Sequence, residues 1–421
     1  MKKYKLKNGL QVILTPQKET KAVTALVLVG VGSRHEPKNI TGMSHFLEHM
    51  LFKGTKDRPT TLALSRELDS VGAEYNFFTT KDHTGFYVKI NSEHLELALD
   101  VLSDVIFNSK LEEKEINREK GTIIEEMNMY DDVPMAWTEV LMEEIMYKGN
   151  SLMHDQLGSK ENVRSVTRSK MLNYKDKYYF PKNMLVSVAG NMEQKDIRKM
   201  VERYFGNNLK NKSKAKFDKV NLKQNKPNLL LKYKKTEQAH LSLGFISPGD
   251  RDKDISIISL MSIILGGFAS SRLFINIRER QGLCYYISSS LNVYEEIGNL
   301  NIRAGLDKDR IIPAVESIFN EIRKIKKNGV TKEELNRAKE YFKGKIILHL
   351  EDSSFVAGWY GREQLLNKKT KTPEQKIAEI MKITKKDVDR VAKKIFQTKN
   401  INLALIGPFK SEKEFLKILK I

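Results

Sequence analysis

The 421-residue chain is poor in the features that mark several large classes of protein. Its one cysteine, Cys284, excludes an intramolecular disulfide and a thiolate metal cluster. No stretch approaches the roughly 18 consecutive apolar residues that a membrane-spanning helix needs. The first residues, MKKYKLKNGLQVIL, alternate polar and apolar side chains like a strand, without the apolar core of a signal peptide. We therefore expect a soluble, cytoplasmic protein that does not enter a membrane.

Acidic residues are also scarce relative to basic ones. The chain has 73 Lys and Arg against 53 Asp and Glu, a formal net charge of +20. Such an excess is compatible with nucleic-acid binding, which salt-dependent retention on DNA would support. The lysines are spread along the whole chain, however, with a local concentration only at 209–235, and no nucleic-acid motif accompanies them. A solvated basic surface is therefore the favoured interpretation, and we expect no nucleic-acid partner.

The chain contains an internal repeat. The segment 165–192 matches 382–409, with Thr167 aligned to Thr384 and Gly190 aligned to Gly407, both pairs 217 residues apart. A second match, LEEKEINREK with VTKEELNRAK, has a separation of 219 residues. Agreement among such landmarks indicates two homologous halves.

The repeat predicts the domain organisation. We place a first domain at 1–212, a linker at 213–226 that is rich in Lys and Asn and lacks apolar periodicity, and a second domain at 227–421. Strands and helices are mixed in each half without regular βαβ alternation. This order predicts an α+β fold of two homologous domains, each a mixed, largely antiparallel sheet with helices packed on one face.

The string HFLEH at residues 45–49 is the main chemical signal. On a helix, His45 and His49 lie one turn apart on the same face, so two imidazoles can reach one metal ion beside Glu48. Neutral imidazole suits zinc, and a catalytic zinc has three protein ligands. The simpler interpretation, two hydrogen-bonded histidines on a partly buried helix, stays open until a third ligand is found.

The segment 112–132 offers that ligand. Its helical stripe is spaced by three and four residues and consists of Ile116, Glu119, Ile123, Glu126 and Tyr130. A carboxylate turned toward a core is costly unless it is paired or binds a metal. Glu125 falls on a more polar face, so Glu126 is the preferred ligand and Glu119 is placed to support the site from behind.

The second half serves as an internal control. Ala338 occupies the position that matches Glu119, and Lys345 the position that matches Glu126. No His or Glu occurs in LMSIILGGFASSRLF, residues 260–274, which takes the place of HFLEH. The imidazoles and acids are thus confined to one copy of the scaffold, which favours a chemical role over a structural one.

These residues carry a resemblance to a known family. HFLEH followed by Glu126 after 76 residues, within NREKGTIIEEM, resembles the inverzincin metallopeptidases, the family of pitrilysin, insulysin and mitochondrial processing peptidase. The resemblance extends to GVGSRHE, FKGT, GAEYNFFTTKDHTGFY and SSRLFINIRERQGLCY, and so to nearly the whole chain.

The resemblance implies a zinc-dependent endopeptidase with an assigned set of residues. His45, His49 and Glu126 would hold zinc, Glu48 would be the general base, and Glu119 would support the site. The strand around Asn76 and Phe77 would bind the substrate backbone by strand addition. Arg278 and Tyr285 of the second half would donate hydrogen bonds to a substrate carbonyl and to the developing oxyanion; without the resemblance, both are ordinary surface and strand residues.

The resemblance also implies partners. In the family, two such two-domain units enclose a chamber, so we expect a homodimer or pairing with a related subunit, and a peptide or unfolded protein as substrate. The family also contains non-catalytic scaffold subunits. The intact HFLEH with Glu126 favours the enzyme, because a scaffold has no chemical use for those side chains.

Overall fold

A computed structural model describes residues 1–208, 217–222, 224–367 and 370–421 of the chain. Residues 213–216 and 223 of the predicted linker lie outside the described residues. The rest of that linker forms neither helix nor strand. Among the described residues, no helix is both long and apolar enough to cross a lipid bilayer.

The strands, numbered in chain order, are β1 Lys2–Lys5, β2 Gln11–Pro16, β3 Ala22–Val29, β4 Glu74–Thr79, β5 Thr84–Asn91, β6 Met184–Gly190, β7 Asn228–Tyr233, β8 Gln238–Pro248, β9 Cys284–Val293, β10 Ile297–Asp307 and β11 Ile401–Gly407. The α-helices are α1 Met43–Leu51, α2 Thr61–Asp69, α3 Leu95–Asn108, α4 Glu113–Asp132, α5 Pro134–Met146, α6 Lys160–Arg164, α7 Arg168–Tyr178, α8 Gln194–Phe205, α9 Ile255–Gly266, α10 Ile311–Asn328, α11 Lys332–His349, α12 Ser353–Arg362, α13 Pro373–Lys382, α14 Lys385–Ile395 and α15 Lys413–Ile418.

The first sheet has the strand order β1-β2-β6-β3-β5-β4. Its pairs are antiparallel except β2 with β6, which is parallel. Strand β4 therefore lies at one edge, with β5 on its inner side in the register Thr79 opposite Thr84. An edge strand presents unpaired backbone N–H and C=O groups on its outer side.

The second sheet repeats this arrangement with one strand fewer. Its order is β7-β11-β8-β10-β9, and only β7 with β11 is parallel. Two mixed, largely antiparallel sheets with packed helices confirm the predicted α+β fold class.

Alternation along the strands gives each sheet two apolar faces. In β2, Val12 and Leu14 belong to the large core beneath α1 and α3, whereas Ile13 between them belongs to a smaller core on the opposite face. Helix α12 covers that opposite face through Val356, Ala357 and Tyr360. The second sheet is covered in the same way by α5.

Because α12 and α5 each cover the sheet of the other half of the sequence, each compact unit is discontinuous in sequence. One unit contains residues 1–127, 154–218 and 346–372, and the other contains residues 128–153, 219–345 and 373–421. The compact units thus follow different boundaries from the predicted division into 1–212 and 227–421, because α5 from the first half packs on the second sheet and α12 from the second half packs on the first. The sequence repeat itself reappears in the elements: Thr167 and Thr384 each cap a helix through the side-chain hydroxyl, and Gly190 and Gly407 each end a strand.

The packing of α12 predicts a measurable contribution to stability. Val356 is 3% exposed and packs with Leu26, Leu28 and Leu185, so Val356→Ala removes two buried methyl groups and leaves a cavity. We expect the free energy of unfolding to fall by about 2 kcal/mol in urea denaturation. Leu348→Ala, at a residue of the same unit that is 68% exposed, should change it by less than about 0.5 kcal/mol. A matching small effect for Val356→Ala would contradict the assignment of α12 to this core.

Candidate metal centre

Helix α1 carries HFLEH, and its N-terminus is fixed by a carboxylate from outside the helix. Glu36 is buried and accepts hydrogen bonds from the backbone N–H groups of Gly42 at 2.7 Å and Ser44 at 2.6 Å. Burial raises the pKa of this carboxyl to about 7, and its oxygens accept from N–H groups that lack partners at this end of a helix. Ser44 is held further by Tyr174, whose hydroxyl lies 2.7 Å from its Oγ. The turn that contains His45 is thereby held in one place.

Close backbone packing also fixes the start of α1. Gly42 has φ of 92°, and a Cβ there would lie 2.4 Å from the carbonyl oxygen of Leu157. Only glycine combines that conformation with that approach. The chain can therefore bring the 157–158 segment directly against the helix that carries the histidines.

The structure brings His45, His49 and Glu126 together. Oε2 of Glu126 lies 3.6 Å from Nε2 of His45 and 3.7 Å from Nε2 of His49. Two ligands of one tetrahedral zinc stand about 3.4 Å apart, given metal–ligand bonds of about 2.0–2.1 Å. Glu126 thus lies at nearly the separation from each imidazole that a shared ion requires, and the three donor atoms are within 4.8 Å of one another. Among the described residues, no other group of three or more His, Cys, Asp or Glu side chains has such a geometry.

The orientation of His49 is set by a chain of polar contacts. Its Nδ1 donates to Oε1 of Glu119 at 2.9 Å, and Nζ of Lys53 donates to Oε2 of the same carboxylate at 2.6 Å. With the proton held at Nδ1, Nε2 presents its lone pair toward Glu126. A carboxylate on the far nitrogen is the usual support of a metal-binding histidine. Lys53, which the sequence patterns do not single out, belongs to the FKGT segment.

The electrostatics of the two imidazoles differ. Burial lowers the pKa of His45 to about 3, so this ring is neutral, as a metal ligand must be. Burial would also lower the pKa of His49, but the hydrogen bond and charge of Glu119 outweigh it and raise that pKa. Nδ1 of His45 is buried without a hydrogen-bond partner among the described residues. Two imidazole nitrogens and one carboxylate form a donor set that fits zinc and leaves one position open.

Glu48 lies next to this donor set. It is 8% exposed, and burial raises its pKa above the ordinary value. Its Oε2 accepts a hydrogen bond of 2.6 Å from the hydroxyl of Thr79, at the end of β4. Glu119, by contrast, has a lowered pKa: burial opposes ionisation, but His49 and Lys53 more than offset it. Neighbouring carboxylates with opposite shifts are typical of sites that separate an acid–base role from a supporting role.

A cleft of about 250 Å³ opens beside Glu48 and His49. Its apolar wall consists of Phe52, Tyr75 and Phe77. The ring of Phe52 stacks on Tyr75 at 5.5 Å and meets Phe77 edge-on at 5.3 Å between centroids. The cleft can therefore accept an apolar side chain directly next to the candidate base.

The predicted substrate-binding residues lie on β4. Asn76 is exposed, and its Oδ1 accepts a hydrogen bond from the backbone N–H of Phe77 at 2.9 Å. Both residues line the cleft. Their role in binding a substrate remains a prediction.

Arg278 and Tyr285 belong to the other compact unit. The guanidinium carbon of Arg278 lies 5.8 Å from the ring centroid of Tyr285, which is 73% exposed. The two side chains are thus neighbours, and their predicted contacts with substrate remain predictions. Burial raises the pKa of Cys284 to about 11, which disfavours a nucleophilic thiolate.

Helix α4 departs from the predicted stripe at its C-terminal end. Ile116, Glu119, Ile123 and Met127 are buried, whereas Tyr130 is 38% exposed. Met127 is the last residue of α4 in the first core and in the first compact unit, so Tyr130 lies beyond that core. Glu125 is exposed, unlike Glu126.

The contact between His49 and Glu119 predicts an effect on metal affinity. Glu119→Gln keeps the shape of the side chain but removes the charge that orients the ring, so zinc should bind about 10- to 100-fold more weakly. A competition titration with a chromophoric chelator measures this. The matched control is Glu125→Gln on the same helix, which should leave the affinity unchanged. If Glu125→Gln weakened zinc binding and Glu119→Gln did not, the face of α4 that carries Glu125 would be the one directed at the metal.

His83, in the turn between β4 and β5, should make the free energy of unfolding depend on pH. Burial lowers the pKa of His83 to about 3, against about 6.5 in an unfolded chain. Between these values the unfolded state binds a proton that the folded state excludes, so the free energy of unfolding decreases as the pH falls. In zinc-free protein, His83→Gln should make this dependence shallower by about 1.4 kcal/mol per pH unit near pH 5. An unchanged slope would show that His83 titrates normally in the folded protein.

Two family models match the chain. Residues 11–159 match the model described as Insulinase (Peptidase family M16), and residues 165–342 match the model described as Peptidase M16 inactive domain. The first range contains both histidines and Glu126. The second lies mostly in the half that lacks these residues.

Similar proteins extend over the full chain. A protein named "Uncharacterized zinc protease YmxG" from Bacillus subtilis is 35% identical over 97% of this chain and 98% of its own length. An uncharacterized zinc protease from Mycobacterium leprae is 32% identical over 99% and 94%. The solved structure of a protease from Helicobacter pylori has the same fold, with a TM-score of 0.91 at 23% identity over 97% of this chain and 99% of that one. The chain is therefore a member of peptidase family M16.

Proposed function

We propose that the protein is a zinc-dependent endopeptidase that hydrolyses extended or unfolded peptides. The observation that carries the proposal is the convergence of three donors, His45, His49 and Glu126, within 4.8 Å of one another beside the buried Glu48. Relatives named zinc proteases support the metal and the reaction at the level of the family.

The chemistry divides between the metal and the side chains of the protein. A zinc ion bound by the three donors supplies Lewis acidity that polarises the peptide carbonyl and water. Glu48 accepts the proton of the attacking water and returns it to the nitrogen of the leaving amine. The raised pKa of Glu48 suits this exchange, because a base works best when its pKa approaches the working pH.

The substrate class follows from β4 and the cleft. A peptide that adds to the outer edge of β4 binds through its backbone, which demands an extended conformation and little sequence specificity. A side chain of that peptide can enter the cleft against Phe52, Tyr75 and Phe77, so an apolar residue is favoured there. Arg278 and Tyr285 are proposed donors to a substrate carbonyl and to the oxyanion.

The protein acts in the cytoplasm, and it pairs with a second copy or a related chain to enclose its substrate. Both rest on the family resemblance together with the composition of the chain.

The test is cleavage of an unstructured peptide by wild-type protein, with and without a chelator, alongside Glu48→Gln. We expect about one zinc per chain in both proteins, because Glu48 is not a ligand in this scheme. The variant should lose about 100- to 10,000-fold in kcat. Wild-type protein that binds zinc but cleaves no peptide would favour the scaffold alternative, and full activity of the variant would reject Glu48 as the base.

A further inference from the structure

The hydroxyl of Thr79 is the hydrogen-bond donor to the candidate base. Its Oγ1 lies 2.6 Å from Oε2 of Glu48. In the described part of the chain, no other residue donates a hydrogen bond to this carboxylate. Oε2 is thus engaged and Oε1 stays free to meet a proton. A hydroxyl bonded to a carboxylate at this distance is a strong, charge-assisted hydrogen bond.

Thr79 belongs to the edge strand that the proposed function assigns to the substrate. It is the last residue of β4, directly opposite Thr84 of β5. Side chains alternate along a strand, so Thr79 is on the same face as Tyr75 and Phe77, whose rings belong to the apolar wall of the cleft. The outer edge of β4 and the anchor of Glu48 are therefore parts of one element.

The surroundings of Thr79 make its position definite. The next four residues form a tight turn in which Oγ1 of Thr80 accepts a hydrogen bond from the backbone N–H of His83 at 3.0 Å and donates to its carbonyl at 2.8 Å. The hydroxyl of Thr84 donates to the carbonyl oxygen of Val31 at 2.9 Å, and among the described residues no hydrogen bond joins it to Glu48. Two facing threonines on one hairpin thus have different partners, and only one of them bonds to the candidate base.

We propose that Thr79 is a positioning residue that holds the Glu48 carboxylate in its proton-accepting orientation and links that orientation to a peptide bound along β4. The link to catalysis rests on the proposed function. In the reaction, one proton moves from water to Oε1 of Glu48 and then to the leaving amine nitrogen. Meanwhile the water oxygen bonds to the carbonyl carbon and the C–N bond breaks. Oε2 retains the hydrogen bond from Thr79 throughout.

A glutamate without this anchor can rotate about its terminal bonds, so fewer enzyme molecules have Oε1 in place when the substrate is bound. Loss of the anchor should therefore lower kcat without weakening substrate binding. A residue that only bound substrate would raise KM instead, and a residue that only stabilised the fold would lower the melting temperature.

The kinetic test compares three variants with wild-type protein on one unstructured peptide. Thr79→Val removes the hydroxyl and keeps the shape, and we expect kcat to fall about 10-fold with KM and zinc content unchanged. Thr79→Ser keeps the hydroxyl and should retain kcat within about 2-fold. Thr84→Val removes the facing hydroxyl and should leave kcat unchanged. Wild-type kcat in Thr79→Val, an equal loss in Thr84→Val, or a change in KM alone would overturn the proposal.

A second readout does not depend on activity. Crystal structures of the zinc-free wild type and of Thr79→Val should show one Glu48 carboxylate conformer bonded to Thr79 in the wild type, and a displaced or multiple carboxylate in the variant. An unmoved Glu48 would overturn the proposal even if the enzyme is active. If wild-type protein cleaves no peptide while Glu48 moves as expected, the proposed function fails and the positioning role stands.

Discussion

The candidate site depends on one contact, the meeting of the Glu126 carboxylate with the two imidazoles of α1. The histidines and the glutamate are separated by 76 residues and come from different helices, yet their donor atoms lie within 3.7 Å. Two features hold the helices in place. Glu36 and the Leu157 carbonyl fix the start of α1, and Ile116 with Ile123 anchors α4 in the same core. Partly buried polar groups need partners, and a shared cation is one partner that would satisfy all three donors at once.

Two glutamates beside this contact, Glu119 and Glu48, have different environments and different proposed roles. Glu119 is kept ionised by His49 and Lys53 and orients a ring, whereas Glu48 is buried, has a raised pKa and bonds to a hydroxyl. The two carboxylates differ through their environment and not through their chemistry. The hydrogen bond from Thr79 at the end of β4 to Glu48 of α1 also joins the candidate base to the sheet edge where an extended peptide is proposed to add.

The sequence allowed much of this arrangement to be predicted, for identifiable reasons. The positions of His45 and His49 one turn apart follow from helix periodicity, and Glu126 follows from the combination of its apolar stripe with the unequal repeat. The two mixed sheets follow from the element order. The anchoring contacts do not follow: Glu36, Lys53 and Thr79 act through tertiary hydrogen bonds across 6 to 66 residues, and no local pattern encodes such partners. The sequence also did not show that α5 of the first half packs on the second sheet and α12 of the second half on the first. Amphipathicity indicates that a helix packs on a sheet but does not specify which sheet. Tyr130 was misplaced because periodicity continues past the point where the core ends.

In the proposed function, His45, His49 and Glu126 bind one zinc ion. Anomalous diffraction at the zinc edge, from crystals of the wild-type protein grown with about one equivalent of zinc, tests it most directly. We expect a single strong peak within about 2.2 Å of Nε2 of His45, Nε2 of His49 and a carboxylate oxygen of Glu126. A peak at other side chains, or none at this site, would contradict it.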